Sequence, residues 1–198
     1  MNLTPEEVSL VSQQKFFETK LSATEKLKVL MGEIRSVYLD LFNPSEIYCP
    51  EQTDFKTGQI AKGENYEGYP YVLLDLPRYF SKTDIFTFRT MFWYGHAFIF
   101  SVILAGERLP HYQQRFQTQY DTLVKADILI GTQDLWDWQD GSFVRLTEQN
   151  RSETVRLAET LPFMKLMRHL PPAALADTAG ILAGARGFYE TIKPVICR

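Results

Sequence analysis

Five residues carry most of the chemistry that can be read from this chain: Tyr66, Tyr69, Asp75, Arg78 and Arg89. Asp75 lies in Tyr71 to Leu76 (YVLLDL), a strand bounded by Pro70 and Pro77, where the two-residue period puts it on one face with Tyr71 and Leu73. A carboxylate on an apolar strand is costly unless it is paired. Arg89 on the following strand and the neighbouring Arg78 are the candidate partners. Two readings follow. One is a structural salt bridge, the simpler reading, since ion pairs of that kind occur without function. The other is a polar-lined pocket holding a small polar or anionic ligand, with Tyr66 and Tyr69 at its rim. Those tyrosines belong to Lys62 to Pro70 (KGENYEGYP), where two glycines and a proline fix turns. That stretch reads as an aromatic corner on a sheet edge or as a ligand-contacting loop.

A second cluster is Leu135 to Leu146 (LWDWQDGSFVRL). Asp140-Gly141 is the residue pair that a tight type I′ hairpin turn demands. That register sets Trp138 opposite Phe143 and Trp136 opposite Arg145, within reach of a cation–π contact. Trp136, Trp138 and Arg145 are therefore candidates for an interface, more so than for a sugar or base platform.

Other chemistries have no sequence signature. The three histidines, His96, His111 and His169, are scattered, and no cysteine pair supports zinc, so no metal is expected. Gly180 to Gly187 has phosphate-loop texture but lacks the following Lys-Ser/Thr and sits within a helical pattern, so no nucleotide cofactor is expected. No nucleophile elbow occurs. A net charge of -3 disfavours a nucleic-acid backbone as partner. Cys49 and Cys197 are isolated in sequence and fit a reducing compartment, with a bridge between them left open. MNLTPEEVSL lacks the basic and apolar regions of a secretory signal, so a cytoplasmic location is expected.

The elements that must position these groups centre on Phe86 to Ala105 (FTFRTMFWYGHAFIFSVILA). Twenty apolar residues are long enough to span a bilayer. Arg89, His96 and the β-branched and aromatic content instead favour a buried β-hairpin. With Gly95-His96 as a two-residue loop, Trp93 faces Phe98 and Thr90 faces Ser101 as a hydroxyl pair. Both faces are apolar, so helices are expected on both. Thr4-Pro5-Glu6-Glu7 starts a helix reaching about Thr19, and Ser22-Ala23-Thr24-Glu25 starts another reaching about Phe42. Residues 43–69 form a long loop or hide short strands. Leu109 to Lys125 and Ser152 to Leu161 read as helices, and Phe163 to Leu170 as strand or helix. Pro171-Pro172 opens a last helix, whose small residues Ala176, Gly180, Gly184 and Gly187 permit close packing. The 198 residues then form a single α+β domain, 1–198, whose central antiparallel sheet is covered by N-terminal and C-terminal helices.

Taken together, Tyr69-Pro70, Leu74-Asp75, Pro77-Arg78-Tyr79-Phe80 and Phe88-Arg89-Thr90-Met91-Phe92-Trp93 resemble a bacterial protein family of unknown function over about Lys62 to Glu107. The resemblance implies a bacterial origin and a soluble α+β domain, and carries no activity. The leading expectation is a non-enzymatic ligand-binding or interaction domain that pairs with itself and does not enter membranes. Its rival is a small enzyme acting on a polar or anionic metabolite near Asp75, Arg78 and Arg89. Single-strand nucleic-acid binding through sheet aromatics would need a basic groove that the charge does not promise.

Overall fold

The computed structural model describes residues 2–198. Thr4 opens helix α1 (Pro5–Val11) with a reciprocal cap: its Oγ1 accepts from the Glu7 amide at 3.2 Å, and the Glu7 carboxylate accepts from the Thr4 amide at 2.6 Å. Helix α2 (Gln14–Leu41) then runs without interruption. The expected helix start at Ser22 to Glu25 falls inside it, where the Thr24 hydroxyl donates to the Lys20 carbonyl one turn back.

Seven antiparallel strands follow: β1 (Gln59–Tyr66), β2 (Tyr69–Phe80), β3 (Ile85–Trp93), β4 (Ala97–Ala105), β5 (Leu129–Gly131), β6 (Phe143–Arg145) and β7 (Phe163–Leu170), in the spatial order β1-β2-β3-β4-β7-β5-β6. The segment 43–69 therefore does contain a strand, β1 at Gln59–Tyr66, and ends on the first residue of β2. Strand β2 continues through both prolines, and a register shift between Asp75 and Arg78 accommodates Pro77, which has no N–H to give to the ladder.

The central hairpin is where expected, but its register differs. The loop has three residues, Tyr94-Gly95-His96, so Trp93 pairs with Ala97, Phe92 with Phe98 and Arg89 with Ser101. A one-residue slip turns every β4 side chain to the opposite face. The Thr90–Ser101 hydroxyl pair does not form. Thr90 shares a hydrogen bond with the Tyr38 hydroxyl on α2, and the Ser101 hydroxyl donates to the Arg89 carbonyl at 2.9 Å.

One face of the sheet carries Phe86, Phe88, Phe92, Phe98, Phe100, Val102 and Leu104 in the main core. It is covered by α2, α3 (Leu109–Lys125) and α5 (Thr178–Ile196), with α4 (Arg151–Thr160) against α3. Gly184 brings α5 down on the sheet: a Cβ there would stand 3.2 Å from the Phe100 ring. The prolines at 171 and 172 start a 3-10 turn (Pro172–Ala176), and α5 begins beyond it, where the Asp177 carboxylate accepts from the Gly180 amide.

The other face carries Leu73, Met91, Trp93, Ile99, Ile103 and Met167, and among the described residues no helix contributes to this second cluster. The expectation of helices on both faces thus fails. The cover is the irregular segment 132–142, whose Trp138 is 3% exposed. The tight hairpin expected over Leu135 to Leu146 also fails: Phe143–Arg145 pairs with Leu129–Gly131 instead. Asp140-Gly141 does turn, with Gly141 at φ +92, but the strand meant to precede it is drawn off to bury Trp138 on the sheet. Among the described residues no helix is long and apolar enough to cross a membrane, and Phe86 to Ala105 is spent on β3 and β4.

Candidate ligand cavity on the loop-covered face

The site grows from the β2–β3 ladder. Asp75 and Arg89 are directly paired, and the two-residue period points both side chains away from the helices. Arg89 donates from Nε to Asp75 Oδ1 at 2.8 Å and from Nη2 to Oδ2 at 2.7 Å. The side chains are 15% and 4% exposed, so this is a largely desolvated two-pronged pair. The ring of Trp136 covers the guanidinium, 4.8 Å from its Cζ. No hydrogen bond engages Arg89 Nη1 among the described residues, so one charged donor of this group is left without a partner in the chain.

Beside the pair lies a shallow depression, largely open to solvent, of about 350 Å³, lined by Gln59, Ala61, Leu73, Asp75, Phe80, Arg89 and Trp136. Phe80 and Trp136 are 42% and 37% exposed and form its aromatic walls, while Leu73 and Ala61 form an apolar floor. A smaller neighbouring cavity of about 140 Å³ reaches Tyr66 and Trp138. The larger volume suits a small molecule of one or two rings. Both Asp75 oxygens are held by Arg89, so this acid is poorly placed to take a proton from a ligand. What the site does offer is a charge-assisted donor between aromatic surfaces.

The five residues singled out from sequence part company here. Asp75 and Arg89 come together as the ion pair. Arg78 points elsewhere, to Asp54 at 3.5 Å and to the Gln59 side chain, to which it donates at 2.6 Å. It reaches the cavity only by fixing Gln59. The Tyr66 hydroxyl donates to the Trp136 carbonyl at 3.1 Å and accepts from the Trp138 amide at 2.9 Å, tying down the covering segment. Burial pushes its pKa up. Tyr69 is 46% exposed, edge-on to Trp93 and His96, and lines neither cavity. Of the interface candidates, Trp138 is buried within the chain, Trp136 stacks on Arg89, and Arg145 forms an ion pair with Asp127, not with Trp136.

Two buried titratable groups on this face were missed, of which Lys165 positions the covering segment. Lys165 is fully buried, donates to the Asp134 carbonyl at 2.9 Å and to the Asp137 carbonyl, and sets its ammonium 4.6 Å from the Trp138 ring. Burial lowers its pKa to about 8, opposed by the carboxylates of Asp137 and Asp134. His169, two pairs further along β7, lies against the Phe143 ring, with Nε2 buried and unbonded among the described residues. Burial brings its pKa down to about 4, so it is neutral near neutral pH. Alternation along Phe163, Lys165, Met167 and His169 was the available signal, hidden while the segment read equally as helix. Gln59 and Phe80 had no signal, because they reach the cavity only through strand pairing.

The fold and site together define an α+β protein with one sheet, helices on one face and a lysine-tethered loop on the other. No protein-family model, curated protein or solved structure matches the chain.

Proposed function

We propose that this chain is a non-enzymatic ligand-binding domain, bacterial and cytoplasmic. Its ligand would be a small planar molecule carrying one anionic or strongly accepting group. The observation that carries this reading is Arg89: its Nε and Nη2 are consumed by Asp75, its Nη1 makes no hydrogen bond among the described residues, and the residue lines an open depression together with Phe80 and Trp136. Asp75 neutralises the arginine, so the pocket attracts no bare ion by net charge. An acceptor gains most when its ring also lies against the aromatic walls.

Benzoate and indole-3-carboxylate combine the two features, whereas acetate and indole each supply only one. Ligand that binds only the folded state raises its melting temperature with concentration. The ring acids should raise the melting temperature at millimolar concentration, acetate and indole should do so weakly, and Trp136→Ala should remove the effect. Equal shifts with acetate, or shifts that survive Trp136→Ala, would overturn the reading, as would no shift with any of the four.

A further inference from the structure

Three residues of the depression stand in one cross-strand row. Gln59 on β1 pairs with Asp75 on β2, and Asp75 pairs with Arg89 on β3. Directly paired residues of an antiparallel ladder point to the same side, so all three side chains share the loop-covered face. Asp75 and Arg89 are spent on each other. Gln59 stands at the edge-strand end of the row, and what it offers depends on which way its amide is turned.

Arg78 decides that. By simple alternation from Asp75, residue 78 would point to the helix side. The register shift between Asp75 and Arg78 reverses the parity and returns Arg78, with Phe80, to the loop-covered side, where its ladder partner Thr87 follows the parity of Arg89. Asp54 then fixes it twice over. The two residues exchange backbone hydrogen bonds at 2.9 and 3.0 Å, and Arg78 Nε lies 3.5 Å from Asp54 Oδ2. Asp54 is itself held, its carboxylate accepting from the amides of Lys56, Thr57 and Gly58. From that position Arg78 Nη1 donates to Gln59 Oε1 at 2.6 Å. A guanidinium has donors and no acceptor, so only the amide oxygen can meet it. The other arm of the amide, Nε2, makes no hydrogen bond among the described residues. The side-chain acceptors of this lining are meanwhile taken, both Asp75 oxygens by Arg89 and Gln59 Oε1 by Arg78.

Resting on the ligand-binding reading of this face, we infer that Gln59 is a specificity-determining residue, which Arg78 turns so that it offers its amide N–H group, and that the ligand class is an aromatic carboxylate selected against the primary amide of the same ring. A carboxylate brings acceptors alone and suits two unpartnered donors, Arg89 Nη1 and Gln59 Nε2. A primary amide brings N–H donors of its own, and one set against Gln59 Nε2 leaves donor facing donor. Arg78 is a positioning residue that acts through Gln59.

Calorimetric titration of the full chain with sodium benzoate and with benzamide tests it. Wild type should bind benzoate about ten-fold more tightly than benzamide. Gln59→Met should weaken benzoate to the level of benzamide. Gln59→Glu, whose carboxylate still accepts from Arg78, should reverse the order. Arg78→Met should narrow the preference by freeing the amide to turn, whereas Arg78→Lys, which can still donate to Oε1, should keep it. A preference for benzoate that survives Gln59→Met overturns the role of Gln59, and so does a wild type that binds both compounds alike. A wild type that binds neither overturns the ligand reading of this face and the selectivity with it.

Discussion

Asp75 and Arg89 face one another across the β2–β3 ladder, and the guanidinium holds both carboxylate oxygens, at 2.8 and 2.7 Å, under the ring of Trp136. Removing either partner strands a charge in a largely dry place, at about 3–5 kcal/mol. Arg89→Gln and Asp75→Asn should each lower the unfolding free energy, read from urea melts, by that order. The double variant Asp75→Leu with Arg89→Met should recover most of the loss, since an apolar pair of similar volume replaces the ions. A double variant no more stable than either single one would show that the pair is not the source of the loss.

Lys165 makes stability rise on the alkaline side. Its pKa is lowered from 10.5 to about 8 in the folded state, so between those values the unfolded chain holds more protons than the folded one. Stability then increases with pH across that window, by about 3 kcal/mol for this group. Buried Tyr38 and Tyr112, whose pKa values are raised, act in the opposite direction above about pH 10. They are common to wild type and Lys165→Met, so the difference between the two proteins isolates the lysine. That difference should grow in favour of wild type from pH 8 upward, and parallel curves would contradict the assignment.

His169 acts on the acid side. Its folded pKa of about 4 lies below the ordinary 6.5, so its contribution is complete above 6.5 and is lost as pH falls towards 4. His169→Gln should flatten the melting-temperature profile over that range. A profile as steep as that of wild type would place the acid sensitivity in other groups.

Tyr66 fastens the covering segment at two backbone points, the Trp136 carbonyl and the Trp138 amide. Tyr66→Phe removes both bonds and leaves a desolvated amide without an acceptor, at about 1–3 kcal/mol. Amide exchange at residues 134–140 should quicken about ten-fold or more, with β3 and β4 unchanged. Uniform acceleration across the sheet would mean that the segment does not open as its own unit.

Much of the frame was legible from sequence. The α3 stripe of Leu109, Tyr112, Phe116, Tyr120 and Leu123 repeats at helical spacing and is buried as that spacing requires. Asp75 and Arg89 stood out as charges in apolar strands, and the rule that such charges find partners brought them together. The register of β3 and β4 was not legible, because both faces of that hairpin are apolar and either parity looks equally well buried. The same blindness affected β7, where Lys165 sat in a segment that fitted two periods.

The sequence by itself determined the class of elements, the place of the central hairpin and the need of Asp75 for a partner, with Arg89 or Arg78 as candidates, because those follow from local periodicity and from the cost of an unpaired charge. Tertiary structure decided which face the helices cover, and so left the second face to residues 132–142. That choice drew Trp138 out of its apparent hairpin and set Lys165 beneath it, and put Trp136 on Arg89. Burial of one tryptophan outweighed a favourable turn dipeptide, since a buried aromatic side chain contributes more than a two-residue turn preference can.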